Sequence, residues 1–408
     1  MKKISAVLLV LVLVGSVAFA GFTGSATTTF GVDLDTGFYG FKNATAVDAD
    51  LVFFEQLAGA KGAEDGLYAE INAKLSLSFD STTAQNGDLT GAVAGLVASM
   101  PEVDVYLKVT SAKIYGEDWY VSILGAMAAP NFAASAVDFV AKDPDDDPED
   151  IDPSDFVAKN EGVEVGFKGY KFGLSVDKDI NNFKTGLYNV FVSAQTKEYE
   201  LADGLKMTFG GAGVLADNDK AASGSAKGSF ATDDYSASFA ADVVYDAGLK
   251  AEAAVNVAVD PVTVDVYYAN VGGGVVYATT VTNVLSASAT FDVDKFDITV
   301  TGLDLINTTD LGAVVKFAAT DEITVGVNGG YVLQGGAWYV GGDVKYAAED
   351  YTVTADAKYA SAGTTLKVNA KVETKTLVDK ATLSLAYANA DILAGNLGAV
   401  TATAKIAF

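Results

Sequence analysis

From residue 23 onward, apolar and polar residues alternate one by one along most of the chain. In 351–359 (YTVTADAKY), Tyr351, Val353, Ala355, Ala357 and Tyr359 share one side, with Thr352, Thr354, Asp356 and Lys358 on the other. In 365–373, Leu366, Val368, Ala370 and Val372 oppose Lys367, Asn369, Lys371 and Glu373. In 249–260, Leu249, Ala251, Ala253, Val255, Val257 and Val259 oppose a face holding Lys250, Glu252, Asn256 and Asp260. Spacings of three and four residues explain none of these. A period of two is that of strands with one apolar face. Pairs such as Asp203-Gly204, Ala247-Gly248 and Asp260-Pro261 punctuate the runs as turns. From residue 161 to the end, runs of about nine to eleven residues succeed one another with short turns, which predicts an antiparallel meander.

A soluble β-sandwich would alternate in the same way. Three features favour a membrane barrel instead. The meander continues without the long crossings of a Greek key, and no linker divides a chain too long for one sandwich. The apolar faces are also rich in Ala, Val, Leu and Gly; several strands begin or end in an aromatic, such as Phe239, Tyr245, Phe291 and Phe296, and Tyr351 and Tyr359 bracket one apolar face. Eight residues of tilted strand rise about 20 Å, close to the apolar band of a transmembrane barrel. The expected fold is all-β: a transmembrane antiparallel up-and-down barrel of about 20 strands (range about 16–24). It forms one domain over 21–408, and its first strand, near 25–35, pairs with its last.

That last strand is itself informative. In GAVTATAKIAF, Ala402, Ala404, Ile406 and Phe408 lie on one side, Thr401, Thr403 and Lys405 on the other. Alternating apolar and aromatic residues at a barrel's C-terminus form its assembly signal, so Ile406 and Phe408 are expected to face lipid. The barrel-assembly machinery is then an expected partner.

Composition narrows the class further. MKKISAVLLVLVLVGSVAFA reads as an export signal: Lys2 and Lys3, an apolar run from Ile4 to Val14, and Ala18-Phe19-Ala20 before Gly21. The formal charge is −26 and becomes −28 once the two signal lysines leave (−26 − 2). So acidic a chain repels nucleic acid. Cys and His are absent and every basic residue is Lys. That excludes disulfides, the usual zinc sets and a Ser-His-acid triad, so no enzyme and no cofactor is expected. NVGGGVVY (270–277) lies between strands and opens no helix, which removes a dinucleotide reading.

The densest charge lies in AKDPDDDPEDIDPSDF (141–156), where Pro144, Pro148 and Pro153 are half of the chain's six prolines and block strand pairing. It is expected to be a solvated loop. Asp145, Asp146, Asp147, Glu149 and Asp150 are candidate selectivity residues if the loop folds inward. Asp143, Asp145 and Asp147 are weak Ca²⁺ candidates, because Pro148 and Ser154 stand where a calcium loop needs Gly and Glu. Residues 80–102, 55–66 and 217–222 read as further loops. Candidate pore-lining residues on the polar strand faces are Asp242, Lys250, Glu252, Asn256, Asp265, Asp297, Asp356, Lys358, Lys367, Lys371 and Glu373. Both signs occur there, so much of the acid must sit in loops. The sequence therefore points to an outer-membrane porin for small hydrophilic solutes with a mild preference for cations. A surface adhesin or structural coat protein anchored by its barrel is the alternative. Outer-membrane lipid is the expected surrounding, and a homo-oligomer such as a trimer is compatible with a porin.

Several stretches carry a resemblance to a known family. TTTFGVDLDTGFYGFKN (27–43) resembles the opening of the treponemal major outer sheath proteins and the related Tpr proteins. The match is carried by Phe30-Gly31-Val32-Asp33-Leu34 and Gly40-Phe41-Lys42-Asn43. EDGLYAEINAKL (64–75), AKIYGEDWYVSILGAMAAPNF (112–132) and GVEVGFKGYKFGLSVD (162–177) are similar to its strands and hairpins. The resemblance spans about residues 24–215. It implies a spirochaete outer-sheath β-barrel with pore-forming activity and, in some members, adhesion to host matrix proteins. It implies no catalytic residues.

Overall fold

The computed structural model describes residues 21–37, 39–41, 45–58, 66–80, 102–133, 162–176, 189–216, 220–246, 248–273, 280–307, 309–378 and 381–407. The export signal, the acidic loop 141–156 with all of its candidate residues, most of 80–102 and Phe408 lie outside them. Contacts divide the chain into two units. One comprises Met1–Leu124, Val372–Tyr387 and Ala399–Phe408; the other comprises Gly125–Lys371 and Ala388–Gly398.

Every regular element among the described residues is a strand, and all the pairings described below are antiparallel. In the first unit, β1 (Gly21–Asp33), β2 (Tyr39–Phe41), β3 (Thr45–Ala58), β4 (Leu67–Asp80), β5 (Glu102–Tyr115) and β6 (Trp119–Ser122) follow one another, joined by the final strand β24 (Ala399–Ala407). β1 pairs with β3, and β3, β4, β5 and β6 pair in succession. β1 also pairs with β24 from Ser25↔Ala407 to Asp33↔Ala399, so the last strand returns to the first as in an up-and-down β-barrel. The expected closure partner, near 25–35, is the observed one.

The second unit begins with β7 (Val163–Phe167), β8 (Tyr170–Val176), β9 (Asn189–Gln195), β10 (Tyr199–Ala202), β11 (Leu205–Ala216) and β12 (Lys220–Ala231). It continues through β13 (Ser236–Asp246), β14 (Leu249–Val259), β15 (Val262–Gly273) and β16 (Thr280–Val293). β17 (Phe296–Leu303), β18 (Asp310–Ala318), β19 (Ile323–Val332), β20 (Trp338–Ala347) and β21 (Tyr351–Ala360) complete it. Strands β22 (Thr365–Val378) and β23 (Ala381–Asn389) carry residues of both units. From β11 to β21 each strand pairs with its sequence neighbour. This is the meander that the alternation predicts. Some expected loops are partly strand: Glu55–Ala58 close β3, residues 220–222 open β12, and β15 runs to Gly273.

Turn chemistry fits the register. Lys168-Gly169 joins β7 to β8 with both residues at positive φ (49° and 84°), the conformation of a type I′ hairpin turn. Connections at one end of the second unit are two to four residues long, among them 260–261, 294–295 and 319–322. At the other end they vary more, from 247–248 to the longer 304–309 and 333–337.

The two faces of the strands are sorted by chemistry, and the exposed one is apolar. Phe172, Leu174, Val192, Phe209, Phe239, Val243, Val255, Val257, Val300, Val325, Val327 and Val340 are all exposed. Their sequence neighbours Gly173, Ser175, Ser193, Thr208, Asp242 and Thr301 are buried. A water-soluble sandwich would have the opposite arrangement. Aromatic pairs mark strand ends: Phe296 stacks on Phe317 at 4.7 Å, Trp338 lies 5.2 Å from Tyr359, and Tyr346 lies 5.8 Å from Tyr351.

Candidate functional site

The polar face of the second unit is assembled by register. Asn256 stands opposite Asp265, and its Nδ2 donates to Asp265 Oδ1 at 2.7 Å. Ser288, opposite Asp265 on the next strand, donates from Oγ to Asp265 Oδ2 at 3.3 Å. Further along, Asn328, Gly341 and Lys358 form one cross-strand row, and Gly326, Asp343 and Asp356 another. Asn369 Nδ2 donates to Asp356 Oδ2 at 2.9 Å, and Lys358 Nζ lies 4.4 Å from the centre of the Tyr339 ring. Of the sequence candidates, Asp297, Asp356, Lys367 and Lys371 are exposed. Lys250, Asn256, Asp265, Lys358 and Glu373 are half-buried.

Asp242 and Glu252 depart from expectation. They stand directly opposite each other on β13 and β14, yet only 1% and 2% of their surfaces are exposed. Neither lines an open path. What covers Asp242 is residues 125–133, GAMAAPNFA, which the sequence read only as the tail of a family-like strand.

This segment runs as a strap across the polar face of five strands. Ser193 Oγ on β9 donates to Met127 O at 2.6 Å, and Ser225 Oγ on β12 donates to Pro130 O at 2.6 Å. Asp242 Oδ2 on β13 then accepts two backbone N–H groups, from Phe132 at 2.8 Å and Ala133 at 2.6 Å. Four interstrand steps from β8 to β13 amount to about 19 Å, which five or six extended residues span. The strap fits because the positions beneath it are small. A Cβ on Gly173 would come within 2.8 Å of Met127 N, and one on Gly210 within 2.5 Å of Pro130 Cγ. Gly210, Ser225 and Asp242 are successive register partners, and Gly173 and Ser193 are partners in the row two residues along.

Beyond the row, Phe132 and Ala133 enter a buried apolar cluster with Ala240, Ala254, Tyr267 and Ala269. Ala133 is fully buried at 0% exposure. The bonds from Phe132 and Ala133 both end on Asp242 Oδ2 and offset part of the cost of burying its carboxyl group, whose Oδ1 is buried without a hydrogen-bond partner among the described residues. Glu252 is held alongside, its Oε2 accepting from the Tyr267 hydroxyl at 2.7 Å.

An open recess of about 300 Å³ adjoins the strap, lined by Phe132 and by Lys206, Thr208, Lys227, Ser229 and Ser238. Lys227 Nζ lies 4.7 Å from the centre of the Phe132 ring, and Lys206 pairs with Glu198 at 3.3 Å. These two lysines were missed in the sequence, where β11 and β12 are dominated by Gly, Ala and Ser and give no cue to which register partners meet. Among the described residues no group of three or more Asp and Glu could hold a metal ion.

No protein-family model matches the sequence. Over 181 residues the chain is 31% identical to the major surface protein MspTL of Treponema lecithinolyticum, covering 41% of this chain and 29% of that protein. Over 134 residues it is 31% identical to the major outer membrane protein MspA of Treponema maltophilum, covering 30% of this chain and 23% of that protein. The chain resembles the treponemal major surface proteins. Each match spans less than a third of the relative's length.

Among solved structures, the chain is similar to the PapC usher translocation pore at 8% identity, with a TM-score of 0.38 over 95% of this chain and 99% of that one. It is similar to OccAB4 of Acinetobacter baumannii at 9% identity, with a TM-score of 0.38 over 95% and 97%. The siderophore receptor PirA of Pseudomonas aeruginosa matches at 10% identity, with a TM-score of 0.49 over 95% and 80%. At such scores these likenesses bear on no functional point.

Proposed function

We propose that this chain is an outer-membrane porin that lets small hydrophilic solutes diffuse passively, with a mild preference for cations. The observation that carries the reading is the sorting of the strand faces. Val, Leu and Phe side chains stand on the exposed face, while charged and hydroxylated residues line the other. An exposed apolar face that continues from strand to strand is stable against lipid and unstable against water. The pairing of β1 with β24 gives the backbone groups of both strands partners, as a membrane demands. The shorter connections, at 260–261 and 294–295, fit the periplasmic side, and the longer ones fit the cell surface.

The polar face carries Asp265, Asp297, Asp343 and Asp356 beside Lys316, Lys345, Lys358, Lys367 and Lys371, a nearly balanced mixture. A wall of mixed sign gives weak selectivity, so the cation preference comes mainly from acidic residues outside it in a chain of net charge −26. Purified protein in a planar bilayer tests the reading. Stepwise conductance with a cation-favouring reversal potential in a salt gradient is the expected result. Folded protein that conducts nothing would leave the surface adhesin or structural coat as the better account.

A further inference from the structure

The strap of residues 125–133, buried at Ala129, Pro130, Phe132 and Ala133, is not needed to complete the strand wall. β8, β9, β11, β12 and β13 are already joined by backbone pairing from Gly173↔Ser193 to Ser225↔Asp242. The strap lies on the polar face of that wall, the face a passing solute would meet. Its attachment is specific at each step. Hydroxyls at Ser193 and Ser225 take its carbonyls, Asp242 takes its last two N–H groups, and Gly173 and Gly210 leave the room it occupies.

We propose that this strap sets the size limit of the pore, with Asp242 as the positioning residue that holds it in place. The inference rests on the porin reading and deepens it. An extended segment with its side chains is about 10 Å thick, so laying one against the wall narrows the open cross-section on that side. Asp242 acts through the strap and touches no solute, since its carboxylate is covered by Phe132 and Ala133. It is a structural anchor where the alternation alone would have made it a wall charge. Solute selection then falls to what the strap leaves open beside it: Lys206, Lys227, Ser229 and Ser238 around the recess.

The test uses the full-length protein in planar bilayers, with neutral polyethylene glycols of graded size as probes of the passable diameter. Gly210→Val places a side chain where Pro130 Cγ now lies, and Asp242→Ala removes the anchor. Gly224→Val, on the apolar face with nothing within 4 Å of its added Cβ, is the control. Both strap variants are expected to admit larger polymers and to raise single-channel conductance about twofold or more, with the control unchanged. Heat-modifiable gel migration confirms that each variant is folded. If one strap variant fails to fold, the other decides. A folded strap variant with the wild-type polymer cut-off overturns the proposal. A silent wild-type protein overturns the porin reading alone. In that event a Gly210→Val protein that conducts upholds the strap as an obstruction, and a silent one overturns it.

Discussion

Strands β8–β15 and strands β18–β21 carry the same alternation and differ in what lies over their polar face. Under the strap, the facing positions are Gly173, Ser193, Gly210 and Ser225, and the two acids that follow, Asp242 and Glu252, are shut away from solvent. In the second region no segment among the described residues is laid across the strands in this way. There Asp343, Asp356, Asn328 and Lys358 keep part of their surface open, and their partners are one another's neighbours on the wall. A carboxylate on the polar face is therefore an anchor in one region and a wall charge in the other. The strand pattern is indifferent to which.

The comparison can be broken most sharply at the two acids. Asp242→Ala leaves two buried N–H groups without an acceptor and is expected to cost about 4 kcal/mol of stability. Asp356→Ala is expected to stay within about 0.5 kcal/mol, as for an exposed polar group. Denaturant titration of the folded protein in detergent, read by gel mobility, measures both. Equal losses would show that the strap contributes nothing.

The apolar faces of the two regions should respond alike. Val243→Arg behind the strap and Val327→Arg, on a side chain 55% exposed, each place a charge on the face assigned to lipid. Each is expected to cost about 3 kcal/mol in a bilayer-folded protein. A cost at one site and none at the other would mean that only part of this face meets lipid.

Smaller effects separate the polar faces. Ser225→Ala removes the bond to Pro130 O and is expected to cost about 1 kcal/mol, whereas exposed Ser229→Ala costs nothing measurable. Smallest of all, Lys227→Gln beside the strap should shift the reversal potential toward cations by more than Lys358→Gln does. Both shifts should shrink at high salt, because exposed charges are screened.

How much of this was legible beforehand follows from what a period of two can encode. Alternation marks which residues share a face, and all eleven wall candidates sit on the polar side of their strands. The closing pair of β1 and β24 was also foreseen, because a barrel in lipid tolerates no open edge. Tertiary cover was not legible. Residues 125–133 contain one Pro, one Gly and four Ala and show neither strand nor helix periodicity. Their place is decided by Gly173, Ser193, Gly210, Ser225 and Asp242, which lie on five strands and meet only once the register is set. Lys206 and Lys227 were hidden for the same reason. A Lys among Gly, Ala and Ser announces no face until its neighbours are known.

The central claim is that one strand face meets lipid and the other meets water, and two adjacent residues test it most directly. The chain has no cysteine, so a single one introduced at Asn328 or at Val327 is the sole target for a thiol reagent. In protein folded into lipid bilayers, Asn328→Cys is expected to react with a charged, membrane-impermeant reagent and to lose conductance on modification. Val327→Cys, one residue away on the other face, is expected to do neither. Reaction at Val327→Cys with Asn328→Cys inert would contradict the account outright, because it would place water on the apolar face.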